Sequence, residues 1–286
     1  MGEIIGRLKS EKWLTLTGVL GIVLGIGIQF YIAFFGAKTG IEGDLTKAVS
    51  FDLALGIFMM TTAIIVSYAN FKPRSLYTFR WFYMIAAFYS YGLETIQHFR
   101  GINPRFSQVG SPIDQILGAV FALLAIFMIF FYGLLARQFF LKGSMAQSDS
   151  NVILGIRYGM ISTFLAFAAG LWISLLQSRY TGASGNIIWL HGLGFHGLQL
   201  IPLIAWLLGK QKHYSGTGLI HFSGVMWIIC MLLIGYQTFL GKSIFEFSTY
   251  SILASIAFLY CLLILSKVTL AVFYEIKGNR GHDVKI

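Results

Sequence analysis

Several ionisable residues stand inside or at the ends of long apolar segments, where a charged group needs a partner or a function. One segment ends in YGLETIQHFRG, where Tyr91, Glu94 and His98 share one helix face and Gln97 lies beside them. A carboxylate and an imidazole four residues apart can form a hydrogen bond, share a proton or bind one metal ion. Glu94 and His98 are therefore candidate site residues. The alternative is a helix end that meets lipid headgroups and water.

A second apolar segment, NIIWLHGLGFHGLQLIP, carries two histidines and a glutamine. At 100° per residue, His191, His196 and Gln199 fall within a sector of about 140° and can line one cavity. Residues of these types also form ordinary hydrogen bonds between helices, and this alternative stays open. If the two segments are neighbours, the sequence predicts one site that both histidines share with Glu94 and His98.

Two arginines, Arg100 and Arg105, follow the first of these segments, and Asp114 begins the next helix. Guanidinium groups bind carboxylates and phosphates through paired hydrogen bonds. The arginines therefore predict binding of a small anionic ligand, a lipid headgroup or a haem propionate. The alternative is that they pair with Asp114 or Glu94 and fix the loop.

The composition requires most of the chain to face lipid. Of 286 residues, 57% are hydrophobic and 11% are charged, against roughly 25% charged in a soluble domain. Apolar runs of at least ~18 residues recur along the chain and indicate membrane spans. The fold class is all-α: a polytopic transmembrane helical bundle of about eight spans that forms one integral membrane domain over residues 1–286. The spans are predicted at 13–36, 48–70, 77–99, 113–141, 152–177, 187–208, 218–241 and 248–275.

The distribution of Lys and Arg predicts the orientation of these spans, because cytoplasmic loops carry the excess of positive charge. Fourteen such residues fall on one side and six on the other, which places both termini in the cytoplasm. The predicted location is a bacterial-type cell membrane. The larger set is Arg7, Lys9, Lys12, Lys72, Arg74, Arg80, Arg137, Lys142, Arg157, Lys210, Lys212, Lys277, Arg280 and Lys285. The smaller set is Lys38, Lys47, Arg100, Arg105, Arg179 and Lys242.

The histidines also suggest a cofactor. If haem b is bound, His98 and His191 are the predicted axial ligands. If a divalent metal is bound, Glu94 and His196 join them.

The segment from Glu94 to Arg100 resembles the glutamate and the His-Arg pair on an outer helix end of haem A synthases, and the resemblance implies haem. It covers about seven residues. The chain departs from that pattern because Phe99 separates His98 from Arg100 and because the second, fourth and eighth predicted helices lack histidine. We do not assign the chain to that family.

Polar residues concentrate in the outer half of the predicted spans, which indicates a polar pocket open to the outside. The leading hypothesis is a multi-pass membrane protein that binds haem, a metal ion or a small anionic ligand there. The alternatives are a small-molecule transporter or immunity-type permease, and a non-catalytic membrane partner or sensor. The polar residues in the outer half of the predicted spans are Gln29, Asp52, Glu94, Gln97, His98, Asp114, Gln115, Gln177, His191 and Gln237, with His196 and Gln199 nearer the middle.

Other features limit the function. Cys230 and Cys261 lie in apolar runs without a neighbouring CxxC partner and are predicted to be core residues. The basic residues are scattered singly, which argues against a nucleic-acid partner despite the net charge of +10. We find no convincing internal repeat in the sequence, which disfavours a transporter built from inverted repeats.

Overall fold

The computed structural model describes residues 2–141, 150–211 and 216–282, with side chains up to residue 275. Lys142, Lys212 and Lys285 lie outside the described residues, as do the side chains of Lys277 and Arg280. The chain forms two compact units, Met1–Met145 and Ala146–Ile286, called unit 1 and unit 2 below. The single membrane domain over the whole chain stays a prediction.

Within the described ranges, each unit has four long helices and one small β-hairpin, and unit 1 has an additional short helix at its start. Unit 1 consists of α1 Gly2–Ser10, α2 Lys12–Phe35, β1 Lys38–Thr39, β2 Gly43–Asp44, α3 Leu45–Val66, α4 Pro73–Phe99 and α5 Pro112–Phe140. Unit 2 consists of α6 Ser150–Leu176, β3 Tyr180–Thr181, β4 Gly185–Asn186, α7 Ile188–Leu208, α8 Thr217–Phe239 and α9 Thr249–His282. In each hairpin the two strands are antiparallel.

The structure confirms the all-α polytopic bundle for the described part of the chain. Seven of its helices are long and apolar enough to cross a membrane. The eighth long helix, α4, has 27 residues but is less apolar, because Arg74, Arg80 and Glu94 interrupt its hydrophobic sequence. Every predicted span corresponds to a helix that begins within four residues of the predicted start. The prediction missed α1 and both hairpins, which are too short to produce an apolar run.

Glycines bring helices into close contact within each unit. An added Cβ at Gly18 of α2 would lie 2.7 Å from the carbonyl oxygen of Gly56 in α3. In unit 2, a Cβ at Gly159 of α6 would lie 3.1 Å from the carbonyl oxygen of Gly197 in α7. Small residues permit such contact between helix backbones. Gly18 of α2 and Gly159 of α6 therefore serve helix packing.

The end of unit 1 that the predicted orientation places outside is formed by contact between two glycines in the left-handed region. Gly40 in the hairpin turn has φ +55°, and Gly101 after α4 has φ +78°. A Cβ on Gly101 would lie 2.7 Å from the Cα of Gly40. The hydroxyl of Thr39 donates to the carbonyl oxygen of His98, and the amide of Glu42 donates to the carbonyl oxygen of Gly101 at 3.0 Å. These contacts fix the end of α4 against the hairpin.

Unit 2 repeats this arrangement with the same residue types. Gly182, at φ +52°, contacts Gly241, at φ +74°, and the hydroxyl of Thr181 donates to the carbonyl oxygen of Thr238. The sequences match locally, with TGIEGD at 39–44 against TGASGN at 181–186 and QHFRG at 97–101 against QTFLG at 237–241. The sequence-based conclusion that the chain lacks a repeat was therefore wrong. The matching segments are too short to stand out among apolar helices that resemble each other by composition.

Candidate functional site

Glu94 is buried in unit 1 between an imidazole and a guanidinium. Its side chain has no exposed area, and its Oε2 lies 3.5 Å from Nε2 of His98 on the next turn of α4. Its Oε1 lies 2.6 Å from Nη2 of Arg105, which remains one-third exposed. Arg105 belongs to the loop between α4 and α5, which we call the outer loop after the predicted orientation. The structure therefore brings together Glu94, His98 and Arg105, three of the predicted site residues.

The hairpin determines which nitrogen of His98 carries a hydrogen. The backbone amide of Asp44 donates to Nδ1 of His98 at 3.2 Å. Because Nδ1 accepts this bond, the hydrogen of the neutral ring lies on Nε2, the atom that faces Glu94. A second proton on the imidazole would break the bond to the hairpin.

A second buried carboxylate, Asp52 of α3, belongs to the same cluster. Its side chain is fully buried, and Oδ2 accepts a hydrogen bond from the hydroxyl of Thr95 at 3.0 Å. Asp52 interacts electrostatically with Glu94 and with Tyr91. Among the described residues, neither Oδ1 of Asp52 nor the hydroxyl of Tyr91 has a hydrogen-bonding partner, although both are buried.

We call Asp52, Tyr91, Glu94, His98 and Arg105 the unit 1 cluster. The sequence places Asp52 among the polar residues of the apolar spans but does not identify it as a candidate ligand-binding residue. Its separation from Glu94 along the sequence gave no indication that the two carboxylates would meet. Pairing of α3 with α4 had to be known first.

Two aromatic rings lie beside the guanidinium of Arg105. Its guanidinium carbon lies 5.5 Å from the centroid of the Phe51 ring and 5.5 Å from that of Phe121. A cation over the face of an aromatic ring is stabilised by the ring quadrupole, more strongly where water is partly excluded. The site thus recognises one guanidinium through a buried carboxylate and two aromatic rings.

Gln97, Arg100 and Asp114 form a separate network at the start of α5. The amide nitrogen of Gln97 donates to Asp114 Oδ1 at 2.9 Å, and Arg100 Nη1 donates to the same oxygen at 2.5 Å. Asp114 Oδ2 accepts from the backbone amide and the hydroxyl of Ser111, which caps the helix. Each oxygen of Asp114 is thus engaged within the protein. Arg100 therefore pairs with Asp114, which is the alternative to ligand binding that the sequence left open.

The outer loop is held by Glu42 in the hairpin turn. Its carboxylate accepts from the amides of Asn103 at 3.0 Å and Gln108 at 2.7 Å, and from the hydroxyl of Ser107. Burial alone would raise the pKa of Glu42, but these hydrogen bonds outweigh it and lower the pKa below its usual value. The loop backbone is therefore fixed independently of the Arg105 side chain.

The carboxylate of Asp44 in the hairpin contributes to the stability of the fold, and the pH dependence of unfolding measures that contribution. Burial would raise the pKa of its carboxyl, but hydrogen bonds from Lys38 and Thr46 and the charge of Lys38 lower it from 3.8 to about 2. A depressed pKa stabilises the fold above the unfolded-state value, and that stability is lost as pH falls through the folded-state value. Asp44→Asn keeps the oxygen that caps α3, as Asn186 does for the backbone of Ile188 in unit 2.

We expect Asp44→Asn to lower the free energy of unfolding at pH 7 by less than about 1 kcal/mol, since Lys38 is largely exposed. The difference from wild type should shrink between about pH 4 and pH 2. Thermal unfolding in detergent at several pH values measures it. A difference that stays constant over this range would contradict the charge-based explanation.

The predicted site residues in α7 contact neighbours in unit 2. His191 Nδ1 lies 2.8 Å from the carbonyl oxygen of Ala166, and its ring meets Phe195 edge-on at 5.1 Å between centroids. His196 is exposed, and its Nδ1 lies 3.0 Å from Oε1 of Gln199. A site that joins these residues to Glu94 and His98 stays a prediction.

In both units, a glycine contact and a threonine hydrogen bond join the hairpin to the end of the third long helix, and we call these contacts the frame. Unit 2 forms the frame without the ionisable residues of the unit 1 cluster. Alignment of the repeated segments places Ile234 at the position of Glu94, Thr238 at that of His98 and Gly194 at that of Asp52. Ile234 and Thr238 are both buried. Beside Gly194, Trp227 donates to Ser162, which donates to the carbonyl oxygen of Gly194 at 2.7 Å. The frame therefore does not require the acidic residues or the histidine.

The donor atoms fit a proton site better than the predicted metal or haem site. No group of three or more His, Cys, Asp or Glu side chains within the described ranges is arranged to hold a metal ion. Both ring nitrogens of His98 face partners, Asp44 and Glu94, so ligation of iron would displace one of them. Metal or haem b binding stays a prediction from the sequence. No protein-family model, curated protein or solved structure matches this chain.

Proposed function

We propose that this chain is a multi-pass cell-membrane protein that takes up and releases a proton at the unit 1 cluster. The proton is held by the buried carboxyl groups of Asp52 and Glu94. Ionisable groups placed within membrane spans are costly and commonly belong to proton relays or ion pathways. The proposal replaces a bound cofactor with chemistry that the chain's own residues can perform.

The charges within the cluster support this proposal. The cluster contains two buried carboxyl groups, those of Asp52 and Glu94, but one guanidinium, that of Arg105, and the amide of Asp44 donates to Nδ1 of His98. One added proton balances the remaining negative charge, because like-charged carboxylates that share a buried site resist simultaneous ionisation. Oδ1 of Asp52, which has no hydrogen-bonding partner in the part of the chain that the structure describes, is a place for that proton.

The observation that carries the proposal is the difference between the two units. Both units contain the glycine contact, the threonine bond and the buried glutamine at the end of the third long helix. Only the residues of the unit 1 cluster are ionisable at the aligned positions of Glu94, His98 and Asp52. Since the frame forms with Ile234, Thr238 and Gly194 in unit 2, the cost of the buried charges in unit 1 implies a function.

Infrared difference spectroscopy tests the proposal directly. We expect purified protein in lipid to show a protonated-carboxyl band that grows as pH is lowered. The band should be lost or shifted in Asp52→Asn or Glu94→Gln. Glu246→Gln is the matched control, because Glu246 is an exposed carboxylate that pairs with Lys242 outside the cluster. The proposal is wrong if the carboxyl bands of Asp52→Asn and Glu94→Gln differ from the wild-type band no more than the band of Glu246→Gln does.

Proton binding at this cluster favours a coupled transporter over a passive membrane partner. Arg105 is partly exposed while Glu94 is fully buried, so its side chain lies between the outer loop and the carboxyl groups. In sealed vesicles, proton flux that depends on Glu94 would support transport. Proton binding without flux would instead support a pH sensor, the other alternative.

The proposed orientation places the cluster towards the outside of the cell and both termini in the cytoplasm. A cysteine that replaces Lys38 in the hairpin should then react with an impermeant thiol reagent applied to intact cells. A cysteine that replaces Lys9 in α1 should not. The opposite labelling pattern would reverse the orientation. The native Cys230 and Cys261 are buried and give a low background.

A further inference from the structure

The place occupied by the Arg105 guanidinium has the features of a binding site for a cation. Its carboxylate, Glu94, has no exposed area, and the rings of Phe51 and Phe121 stand beside the guanidinium. A buried carboxylate with aromatic faces is the arrangement by which proteins recognise organic cations. Arg105 is then a tethered occupant of a site that suits other guanidinium or ammonium groups.

The Arg105 side chain can leave without rearrangement of the loop that carries it. The loop backbone is held by Glu42, and the amide of Arg105 itself donates to Oδ1 of Asn103 at 3.1 Å. None of these contacts uses the guanidinium. Rotation of the side chain towards water would uncover Glu94 and the two aromatic rings.

The outer loop also does not depend on an ion pair of this kind. In unit 2, the corresponding buried glutamine, Gln237, donates to the carbonyl oxygens of Ser243 and Glu246 and accepts from the hydroxyl of Ser248. At the position of Glu94 stands Ile234. A loop can therefore be fixed at this end of a four-helix unit by neutral hydrogen bonds alone.

Another buried polar group belongs to the same cluster. The hydroxyl of Tyr91 is buried without a hydrogen-bonding partner among the described residues, and it interacts electrostatically with Asp52. Tyr91 is 1% exposed. A buried polar atom without a partner calls for an explanation, and a bound polar ligand is one.

We infer that the unit 1 cluster binds a small organic cation, of the guanidinium or primary ammonium class, at the place where the Arg105 side chain lies. The inference rests on the proposed function, since Glu94 serves both, and it names the class of solute that a coupled transporter would carry. When the cation binds, the Arg105 side chain moves into water and the cation takes over its contacts with Glu94 and the two rings. The charge of the site is unchanged.

Calorimetric titration at constant pH, with methylguanidinium as the probe, tests the inference on the full-length protein in lipid. Methylurea has nearly the same shape without the charge and is the control ligand. We expect wild type to bind methylguanidinium and not methylurea. Arg105→Ala should bind about tenfold more tightly if the tether fills the site about nine-tenths of the time. Glu94→Gln should abolish binding.

Two further variants separate the site from general effects of substitution. Arg100→Ala removes the neighbouring arginine, which pairs with Asp114 outside the cluster, and should leave methylguanidinium binding unchanged. Phe121→Leu removes one ring and should weaken binding without loss of the fold, which thermal unfolding would verify. If wild type and Arg105→Ala both bind the two probes equally, the inference is wrong. The pH-dependent carboxyl band would still be present in that case, so failure here is distinct from failure of the proton site.

Discussion

The double variant Glu94→Ile and His98→Thr is expected to fold normally and to lose the response to pH. It gives unit 1 the residues that unit 2 carries at the aligned positions, Ile234 and Thr238. Replacing the buried carboxylate of Glu94 by an apolar residue of similar size removes its desolvation cost, and the Arg105 side chain, which loses this partner, can turn into water. We expect the free energy of unfolding to stay within about 1 kcal/mol of wild type or to rise. The pH-dependent carboxyl band and methylguanidinium binding should both be lost.

Gln97→Leu is the control for this double variant, because it is expected to destabilise the protein. Gln97 is 2% exposed and is matched in unit 2 by the buried Gln237. Its amide joins Asp114 and Arg100, and the leucine would leave these groups without that partner. We expect a loss of about 1–3 kcal/mol in the free energy of unfolding. A double variant that is destabilised as much as Gln97→Leu would show that the cluster is structural.

The positions of the long helices followed from the sequence, but the two hairpins did not. Helix positions were predictable, because each span is an apolar run longer than any loop, and the predicted starts agree with the structure. Even α4 was identified despite its charges, since the apolar residues around them continue for 27 positions. The hairpins were missed because a two-residue strand has no periodicity.

The site was predictable only where its residues share one helix. Glu94 and His98 lie one turn apart on α4, so their contact follows from helical spacing alone. Asp52 and Arg105 come from α3 and from the outer loop, and contact between different elements depends on packing that composition does not encode. For the same reason the sequence could not determine whether Arg105 pairs with a ligand or with Glu94.

The two units also explain why the ionisable residues were hard to judge from the sequence. A polar residue in a span is either structural or functional, and one sequence gives no comparison between these roles. The repeat supplies that comparison within the chain. Positions with the same residue type in both units, such as Gly101 and Gly241, hold the frame together, while the positions that differ are available for chemistry.

Gly101→Ala and Gly241→Ala should each destabilise the protein, and by similar amounts. Both residues have positive φ, +78° and +74°, and in each case an added Cβ would lie within 2.8 Å of a Cα in the facing hairpin. Backbone strain in the left-handed region and overpacking against a backbone atom together cost about 2–4 kcal/mol. Since backbone atoms of the hairpin cannot rotate away, relaxation would require separation of the hairpin from the helix end.

Gly92→Ala is the matched control for these substitutions. Gly92 lies in α4 with nothing within 4 Å of an added Cβ, and it has no positive φ. Alanine favours a helix over glycine, so we expect the free energy of unfolding to stay the same or to rise by up to about 1 kcal/mol. Thermal unfolding of the three variants in the same lipid gives the comparison. If Gly101→Ala and Gly241→Ala behaved like Gly92→Ala, the glycine contacts would not hold the outer ends. The repeat would then lose its structural meaning, because the frame common to both units depends on these contacts.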